Sequence, residues 1–170
     1  FAEGMTEVFE PEASRDHTEC MLRAFGVEVE IGAGRAAVKG GQSLKATNIQ
    51  VPADISSAAF FMAGAAMTPG SEIQLNDVGV NPTRTGIIDV LRRMGAEIQL
   101  LNLRQFGGEP VADIHVRGAR LRGTDIGREL VAAAIDEFPI IFIAAAFAVG
   151  ETTVSGAEEL RVKESDRIQS

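Results

Sequence analysis

The chain has 170 residues, of which 45% are hydrophobic and 24% are charged, and its formal net charge is -8. These proportions are typical of a globular protein and exclude a disordered, collagenous or coiled-coil chain. The single cysteine, Cys20, excludes an internal disulfide and a cysteine metal cage, and the two distant histidines suggest no zinc site. The acidic balance disfavours nucleic acid as a partner. The longest apolar stretch, 140–149, is too short to span a bilayer, and no signal peptide is recognisable, so we expect a cytoplasmic protein that binds no membrane.

The apolar pattern predicts alternating strands and helices. In chain order, it predicts a strand at 6–9, a helix at 15–25, strands at 27–31 and 36–39, a helix at 55–67, a strand at 71–75, a helix at 85–94, strands at 97–100 and 113–116 joined by a Gly107-Gly108 hairpin, a helix at 138–149 and a strand at 152–154. The helices at 55–67 and 138–149 are apolar almost all round, and we expect both to be buried.

A repeat organises these elements. Four residues recur at one constant spacing of 69 positions: Arg15, Arg23, Gly26 and Glu28 reappear as Arg84, Arg92, Gly95 and Glu97. Asp54 and Asp136 each head an apolar helix, and Arg84 recurs as Arg167 at a longer spacing. Strand–helix–strand units cannot bury their apolar faces alone, so we expect helices in a core with sheets outside. A chance alternation of helices and strands is the alternative.

Charged residues crowd three predicted helix starts, at 14–18, 136–139 and 163–167. A helix N-terminus carries free N–H groups and partial positive charge, which attract anions, and a nearby arginine adds a bidentate partner. The plain interpretation is helix caps and local ion pairs. Arginine is disfavoured in a first turn, however, and Arg15, Arg84 and Arg167 all occupy one. That placement indicates a site for a small, strongly anionic molecule.

Four segments carry a family resemblance. They are Gly-Ala-Glu-Glu-Leu-Arg-Val-Lys-Glu-Ser-Asp-Arg at 156–167, Asn-Pro-Thr-Arg-Thr-Gly at 81–86, Ser-Arg-Asp-His-Thr-Glu at 14–19 and Asp-Ile-Ser-Ser-Ala at 54–58. Together they resemble the 5-enolpyruvylshikimate-3-phosphate synthase family over nearly the whole chain. The sequence departs from many relatives at Glu159, where they have asparagine, and this puts that substrate contact in question.

The resemblance implies an α/β (α+β) enolpyruvyl-transferase fold. This fold has repeated βαβαββ units with buried parallel helices and outer sheets, an inside-out α/β barrel, and it would be incomplete here. Residues 1–50 would form the last repeat unit of one half, 51–53 the crossing, and 54–170 the first and part of the second unit of the other half. Because both ends look cut, we expect an internal fragment that is inactive alone.

The resemblance also implies a reaction, the transfer of the enolpyruvyl group from phosphoenolpyruvate to the 5-hydroxyl of shikimate 3-phosphate with release of phosphate. Its partners are these two small anions, it uses no metal or organic cofactor, and the full-length protein would be a monomer. Asp136 would bind the shikimate hydroxyls and act as a base, and Glu164 would handle the methylene proton. The implied substrate-binding residues are Ser14 and Arg15 at the shikimate phosphate, Asp136 and Lys163 at the shikimate ring, and Arg167 at phosphoenolpyruvate.

Two other functions stay open at this point. The sister enzyme that transfers enolpyruvate to a UDP-sugar, UDP-N-acetylglucosamine enolpyruvyl transferase, shares fold and chemistry but typically offers a reactive loop cysteine, whereas Cys20 is predicted in a helix. A non-catalytic repeat scaffold would use Asp136 and Glu164 only as helix caps.

Overall fold

The computed structural model describes residues 2–10, 14–32 and 34–169, and over these residues it contains eight strands and five α-helices. In chain order they are β1 (Met5–Phe9), α1 (His17–Ala24), β2 (Val29–Gly32), β3 (Arg35–Lys39), α2 (Ile55–Met67), β4 (Glu72–Gly79), α3 (Gly86–Arg93), β5 (Glu97–Phe106), β6 (Glu109–Arg117), β7 (Asp125–Ile126), α4 (Arg128–Ala134), α5 (Phe138–Phe147) and β8 (Thr153–Val154). Short 3-10 turns lie at Pro82–Arg84 and Glu158–Arg161.

The predicted order of elements is confirmed, with three differences, the first of which is the two-residue strand β7, which was not predicted. Helix α4 was not predicted, because its seven residues carry no side-chain cap that would mark a start. The helix start predicted at 163–167 is a turn over 167–169 in the described residues, where Asp166 accepts from the backbone N–H of Ile168 (3.0 Å) and Gln169 (3.3 Å). The capping geometry therefore falls at Asp166, and Lys163 and Glu164 lie in the turns before it.

The sheet topology confirms the repeat. The first unit forms an antiparallel sheet in the order β1-β3-β2, and the second forms one in the equivalent order β4-β6-β5. In each unit an arginine of the helix binds a carbonyl of the next strand: Arg23 Nη2 lies 2.9 Å from Val29 O, and Arg92 Nη2 lies 2.8 Å from Ile98 O. These arginines and their acceptors are both related by the predicted spacing.

The hydrophobic core lies between helices α2 to α5 and the sheet of the second unit. Its largest fully buried side chains include Phe138, Met62, Ile87, Leu91 and Ile114. The expectation that α2 and α5 are buried all round is wrong for this chain, because each helix also has an exposed apolar face. Phe60 and Phe61 of α2 are each 61% exposed, and Phe147 of α5 is 69% exposed.

Among the described residues, no single helix has both the length and the apolar character needed to cross a membrane. Helices α4 and α5 meet the length and composition criteria only as a pair, which is bent by 118° between them.

A buried carboxylate fixes two irregularities in the second sheet. Strands β4 and β5 each shift register once along β6, and the positive-φ residues Asp77 (58°) and Asn102 (51°) lie at the shifts. Asp113 of β6 accepts from the Asp77 backbone N–H (3.0 Å), Asn102 Nδ2 (2.8 Å) and Arg104 Nη2 (2.7 Å). One side chain thus holds both bulges in place.

In the Asp113→Asn variant, the free energy of unfolding should depend less steeply on pH. The hydrogen bond from Arg104, followed by those from Asn102 and the Asp77 N–H, lowers the pKa of Asp113 to about 2. Because the folded pKa is depressed, the stabilisation is present above the unfolded value of roughly 3.9 and is lost as pH falls towards 2. Urea unfolding across that window measures the slope. The exposed Asp89→Asn serves as the control, and equal slopes for wild type and Asp113→Asn would contradict the assignment.

Gly86 allows helices α3 and α4 to meet closely. A Cβ at this position would lie 2.8 Å from both the carbonyl carbon of Ala133 and the Cβ of Ala134. The glycine that ends the segment at 81–86 therefore has a packing role. It holds the 3-10 turn with Arg84 against the end of α4, from which the chain runs on to Asp136.

Candidate functional site

Five of the six predicted site residues line one open cleft of about 750 Å³. They come from three distant segments: Ser14 and Arg15 precede α1, Asp136 connects α4 to α5, and Lys163 and Glu164 follow the second 3-10 turn. The sixth, Arg167, contacts Asp136, with 3.4 Å between Nη1 and Oδ1. The structure therefore brings all six predicted residues together.

Asp136 lies between two guanidinium groups. Arg15 donates a hydrogen bond to its Oδ2, and Arg167 approaches its other oxygen. Burial by itself would raise the pKa of Asp136, but the hydrogen bonds and charges of Arg15 and Arg167 outweigh it and hold this pKa below its ordinary value. In the absence of an added anion, Asp136 is therefore held as a carboxylate.

Arg167 links Asp136 to Glu164. Its Nη1 donates to the carbonyl of Ile135 (3.0 Å) and its Nη2 to Glu164 Oε2 (2.8 Å). The hydrogen bond from Arg167 lowers the pKa of Glu164, whose side chain is 79% exposed. The two carboxylates expected to move protons thus share one arginine.

Glu159, the residue that departs from the family pattern, pairs with Lys163. The distance between Glu159 Oε1 and Lys163 Nζ is 2.7 Å, and both residues line the cleft. The cleft thus brings three cations together with four carboxylates: Arg15 and Lys163 line it and Arg167 contacts Asp136, and the carboxylates are those of Glu129, Asp136, Glu159 and Glu164.

The helix starts differ in detail from the prediction. Asp136 was expected to head α5; the N-cap of this helix is Glu137, whose side chain makes no capping hydrogen bond. For α1 the N-cap is Asp16, again without a side-chain cap, and Ser14 instead donates to Glu10 Oε1 (2.6 Å). Asp54 does cap α2, because it accepts from the Ser57 backbone N–H (2.8 Å).

Asn81 explains how the segment before α1 reaches the cleft. Its buried Nδ2 donates to Asp16 (2.7 Å) and to Glu109 (3.0 Å), and His17 Nδ1 lies 2.7 Å from the same Glu109. The start of α1 is thereby fixed against β6, and Arg15 is directed towards Asp136. Sequence analysis singled out the segment at 81–86 but not this contact, since it joins residues far apart in the chain.

A second network, also missed from sequence, lies behind Asp136. Arg84 Nη2 donates to Ser56 Oγ (2.7 Å) and lies 3.3 Å from Asp54 Oδ1, and Ser56 Oγ donates to Glu137. Glu137 is only 4% exposed, and burial raises its pKa. The one available sequence signal was an acid at the edge of an apolar helix, which capping explains equally well.

Within the described ranges, no three histidine, cysteine, aspartate or glutamate side chains are grouped so that they could hold a metal ion.

Comparison with known proteins identifies the family. The sequence model described as EPSP synthase (3-phosphoshikimate 1-carboxyvinyltransferase) matches residues 1–170, the whole chain. The chain belongs to the EPSP synthase family. This confirms the resemblance carried by the four segments.

Individual members of the EPSP synthase family match the chain closely in sequence and structure. It is 59% identical to a 3-phosphoshikimate 1-carboxyvinyltransferase of Methylococcus capsulatus over 170 residues, which are 100% of this chain and 39% of that protein. The Nitrosococcus oceani protein of the same name is 59% identical over 99% of this chain and 38% of its own length. A solved EPSP synthase structure from Acinetobacter baumannii superposes with a TM-score of 0.94 at 58% identity, covering 99% of this chain and 38% of that one.

These matches also show how much of its relatives' length the chain covers. It spans 38–39% of the length of the relatives it matches. The structural similarity confirms a mixed α/β architecture that corresponds to part of an EPSP synthase.

Proposed function

We propose that these 170 residues act as part of a longer EPSP synthase. The enzyme would transfer the enolpyruvyl group of phosphoenolpyruvate to the 5-hydroxyl of shikimate 3-phosphate and release phosphate. The observation that carries the proposal is the cleft at which three distant segments place three cations and four carboxylates. Family membership over the whole chain supports the same reaction.

The proposed architecture follows the family. Residues 1–50 would be the last repeat unit of one half, 51–53 the crossing, and 54–170 the first and part of the second unit of the other half. The separation of the sheets β1-β3-β2 and β4-β6-β5 supports this division, and so does their shared strand order. In this proposal the exposed apolar faces of α2 and α5 belong to the core of an inside-out α/β barrel that the present residues only partly build.

The cations of the cleft would bind the two anionic substrates. Ser14 and Arg15 would meet the phosphate of shikimate 3-phosphate, Lys163 its ring hydroxyls, and Arg167 phosphoenolpyruvate. Arginine forms bidentate hydrogen bonds with phosphate and carboxylate groups, which fits both substrates. Each anion would compete with the carboxylate that now holds the cation.

The carboxylates would carry the protons. In the addition step, Asp136 takes the proton of the 5-hydroxyl, the oxygen bonds to C2 of phosphoenolpyruvate, and Glu164 protonates C3. In the elimination step, the bond from C2 to the phosphate oxygen breaks, the departing phosphate receives the proton held by Asp136, and C3 returns its proton to Glu164 so that the double bond is restored. Both transfers use side chains of this chain, and we propose no metal or organic cofactor.

Substrate binding would prepare both groups for these roles. Without substrate, Arg15 and Arg167 lower the pKa of Asp136, so its carboxylate is a weak base. When anionic substrates draw these arginines away, the pKa of Asp136 rises and its carboxylate becomes a better proton acceptor. Glu164 loses the hydrogen bond from Arg167 in the same event, and this allows it to hold the proton that C3 needs.

The test is a phosphate-release assay. We expect the full-length protein that contains this chain to release phosphate only when both substrates are present, and the 170-residue chain alone to release none, because the relatives that carry this name are more than twice as long. Absence of turnover by the full-length protein with these two substrates would refute the proposed reaction. Turnover by the 170 residues alone would refute the expected dependence on the rest of the enzyme.

The alternatives have less support. Cys20 lies in α1, not in a loop, and burial is the main cause that raises the pKa of its thiol, so it is not the reactive thiolate that a UDP-sugar transferase would offer. A scaffold would bind neither small substrate, and calorimetry with shikimate 3-phosphate on the full-length protein separates it from the enzyme.

A further inference from the structure

Glu137 occupies the same position at the start of α5 as Asp54 does at the start of α2. The first intrahelical hydrogen bonds show this equivalence: Ala58 N donates to Asp54 O (3.0 Å), and Ile141 N donates to Glu137 O (2.9 Å). Asp54 uses its carboxylate to cap its own helix. Glu137 does not cap α5, so its side chain serves some other purpose.

The carboxyl group of Glu137 turns instead to the preceding unit. Ser56, in the first turn of α2, donates its hydroxyl hydrogen bond to Glu137 Oε1, and Arg84 donates to the same Ser56 oxygen (2.7 Å). Arg84 in turn contacts Asp54, 3.3 Å away. A chain of polar contacts therefore joins the start of α5 to the start of α2, and it ends one residue from Asp136.

Stability alone does not account for this arrangement. Glu137 is 4% exposed, and within the described residues its only side-chain hydrogen bond comes from a neutral hydroxyl. Burying an ionisable group without a direct charged partner costs free energy. Such a group is retained where its charge or its contacts serve the neighbouring site.

We propose that Glu137 is a positioning residue for the enolpyruvyl transfer: tethered to α2 through Ser56 and Arg84, it holds Asp136 in the cleft and places a second negative charge next to that base. This inference rests on the proposed function and adds to it a residue that does not touch substrate.

The surrounding charges determine the direction of the effect. Burial raises the pKa of Glu137; the Ser56 hydroxyl, Arg84 and Arg15 lower it, and the charge of Asp136 raises it. The other charged groups of the network, one contact further away, are Asp54 beside Arg84 and Arg167 beside Asp136. When acid neutralises Glu137, Asp136 loses a neighbouring negative charge and becomes a weaker base. The turnover number kcat should therefore fall as pH drops through the pKa of Glu137.

The test compares kcat and KM across pH for the full-length synthase and two variants. Glu137→Gln keeps a group that can accept from Ser56 but removes the charge. We expect it to lower kcat at neutral pH by roughly tenfold, to leave KM for both substrates nearly unchanged, and to move the acid-side decline of kcat to lower pH, where only protonation of Asp136 itself remains. Ser56→Ala removes a hydrogen bond that lowers the pKa of Glu137, so we expect the acid-side decline to move to higher pH.

Each result has a distinct meaning. Glu97→Gln, an exposed substitution of the same type on β5, is the matched control and should behave as wild type. If both variants lose melting temperature while their pH profiles superpose on that of wild type, Glu137 has a structural role only and the inference is overturned. If wild type itself releases no phosphate from the two substrates, it is the proposed function that fails.

Discussion

The Asp136→Asn variant of the full-length synthase is expected to lose about 10²- to 10⁴-fold in kcat, the usual contribution of a positioned general base. Asparagine keeps the shape of the side chain, and its one carbonyl oxygen can still accept a hydrogen bond from one of the two arginines, but it cannot take a proton from the 5-hydroxyl. Steady-state phosphate release with both substrates saturating measures the change.

The control for this variant is Asp89→Asn, the same chemical change at an exposed position on α3. It should leave kcat within experimental scatter of wild type. If Asp136→Asn instead raised KM for shikimate 3-phosphate while kcat stayed near that of wild type, Asp136 would bind the substrate without acting as the base.

The largest effect on stability is expected for Phe138→Ala, which should lower the free energy of unfolding by about 3–5 kcal/mol. Phe138 is fully buried, and its ring centroid lies 5.6 Å from that of Phe142. Truncation removes this packing and leaves a cavity where α5 enters the core. Urea unfolding of the 170-residue chain measures the loss.

Phe147→Ala on the same helix provides the comparison. Its side chain is 69% exposed, so its truncation should change the free energy of unfolding by no more than about 0.5 kcal/mol. Equal losses for the two variants would mean that the exposed face of α5 is packed in solution, for instance against a second copy.

The fold was predictable from sequence wherever the determinants are local. Glycines with positive φ, such as Gly26 (81°) and Gly95 (103°), end the helices where the pattern placed their stops. Arg23 and Arg92 are related by the repeat spacing because each donates to a backbone carbonyl of the strand that follows its helix. By contrast, β4 was predicted to end before Asp77, because nothing near that residue in sequence shows that Asp113 stabilises a bulge there.

The site was predictable only in part, for the same reason. The family resemblance supplied the six residues of the cleft, and the structure brings them together. The resemblance did not indicate Glu137, whose neighbours Ser56 and Arg84 are distant in sequence. The residue pattern placed Asp136 at the head of α5, where the N-cap is Glu137, since an acid and a proline near an apolar helix do not specify which of two adjacent acids begins it.

The ion pair between Arg15 and Asp136 joins residues 121 positions apart, whereas Arg92 reaches its acceptor over only 6. Closing a long loop costs more chain entropy than closing a short one, so long-range contacts depend on the integrity of everything between them. A destabilising substitution anywhere in the intervening segments will therefore disturb the cleft before it disturbs the local contacts of the helices. In this architecture the geometry of the cleft is more fragile than the secondary structure.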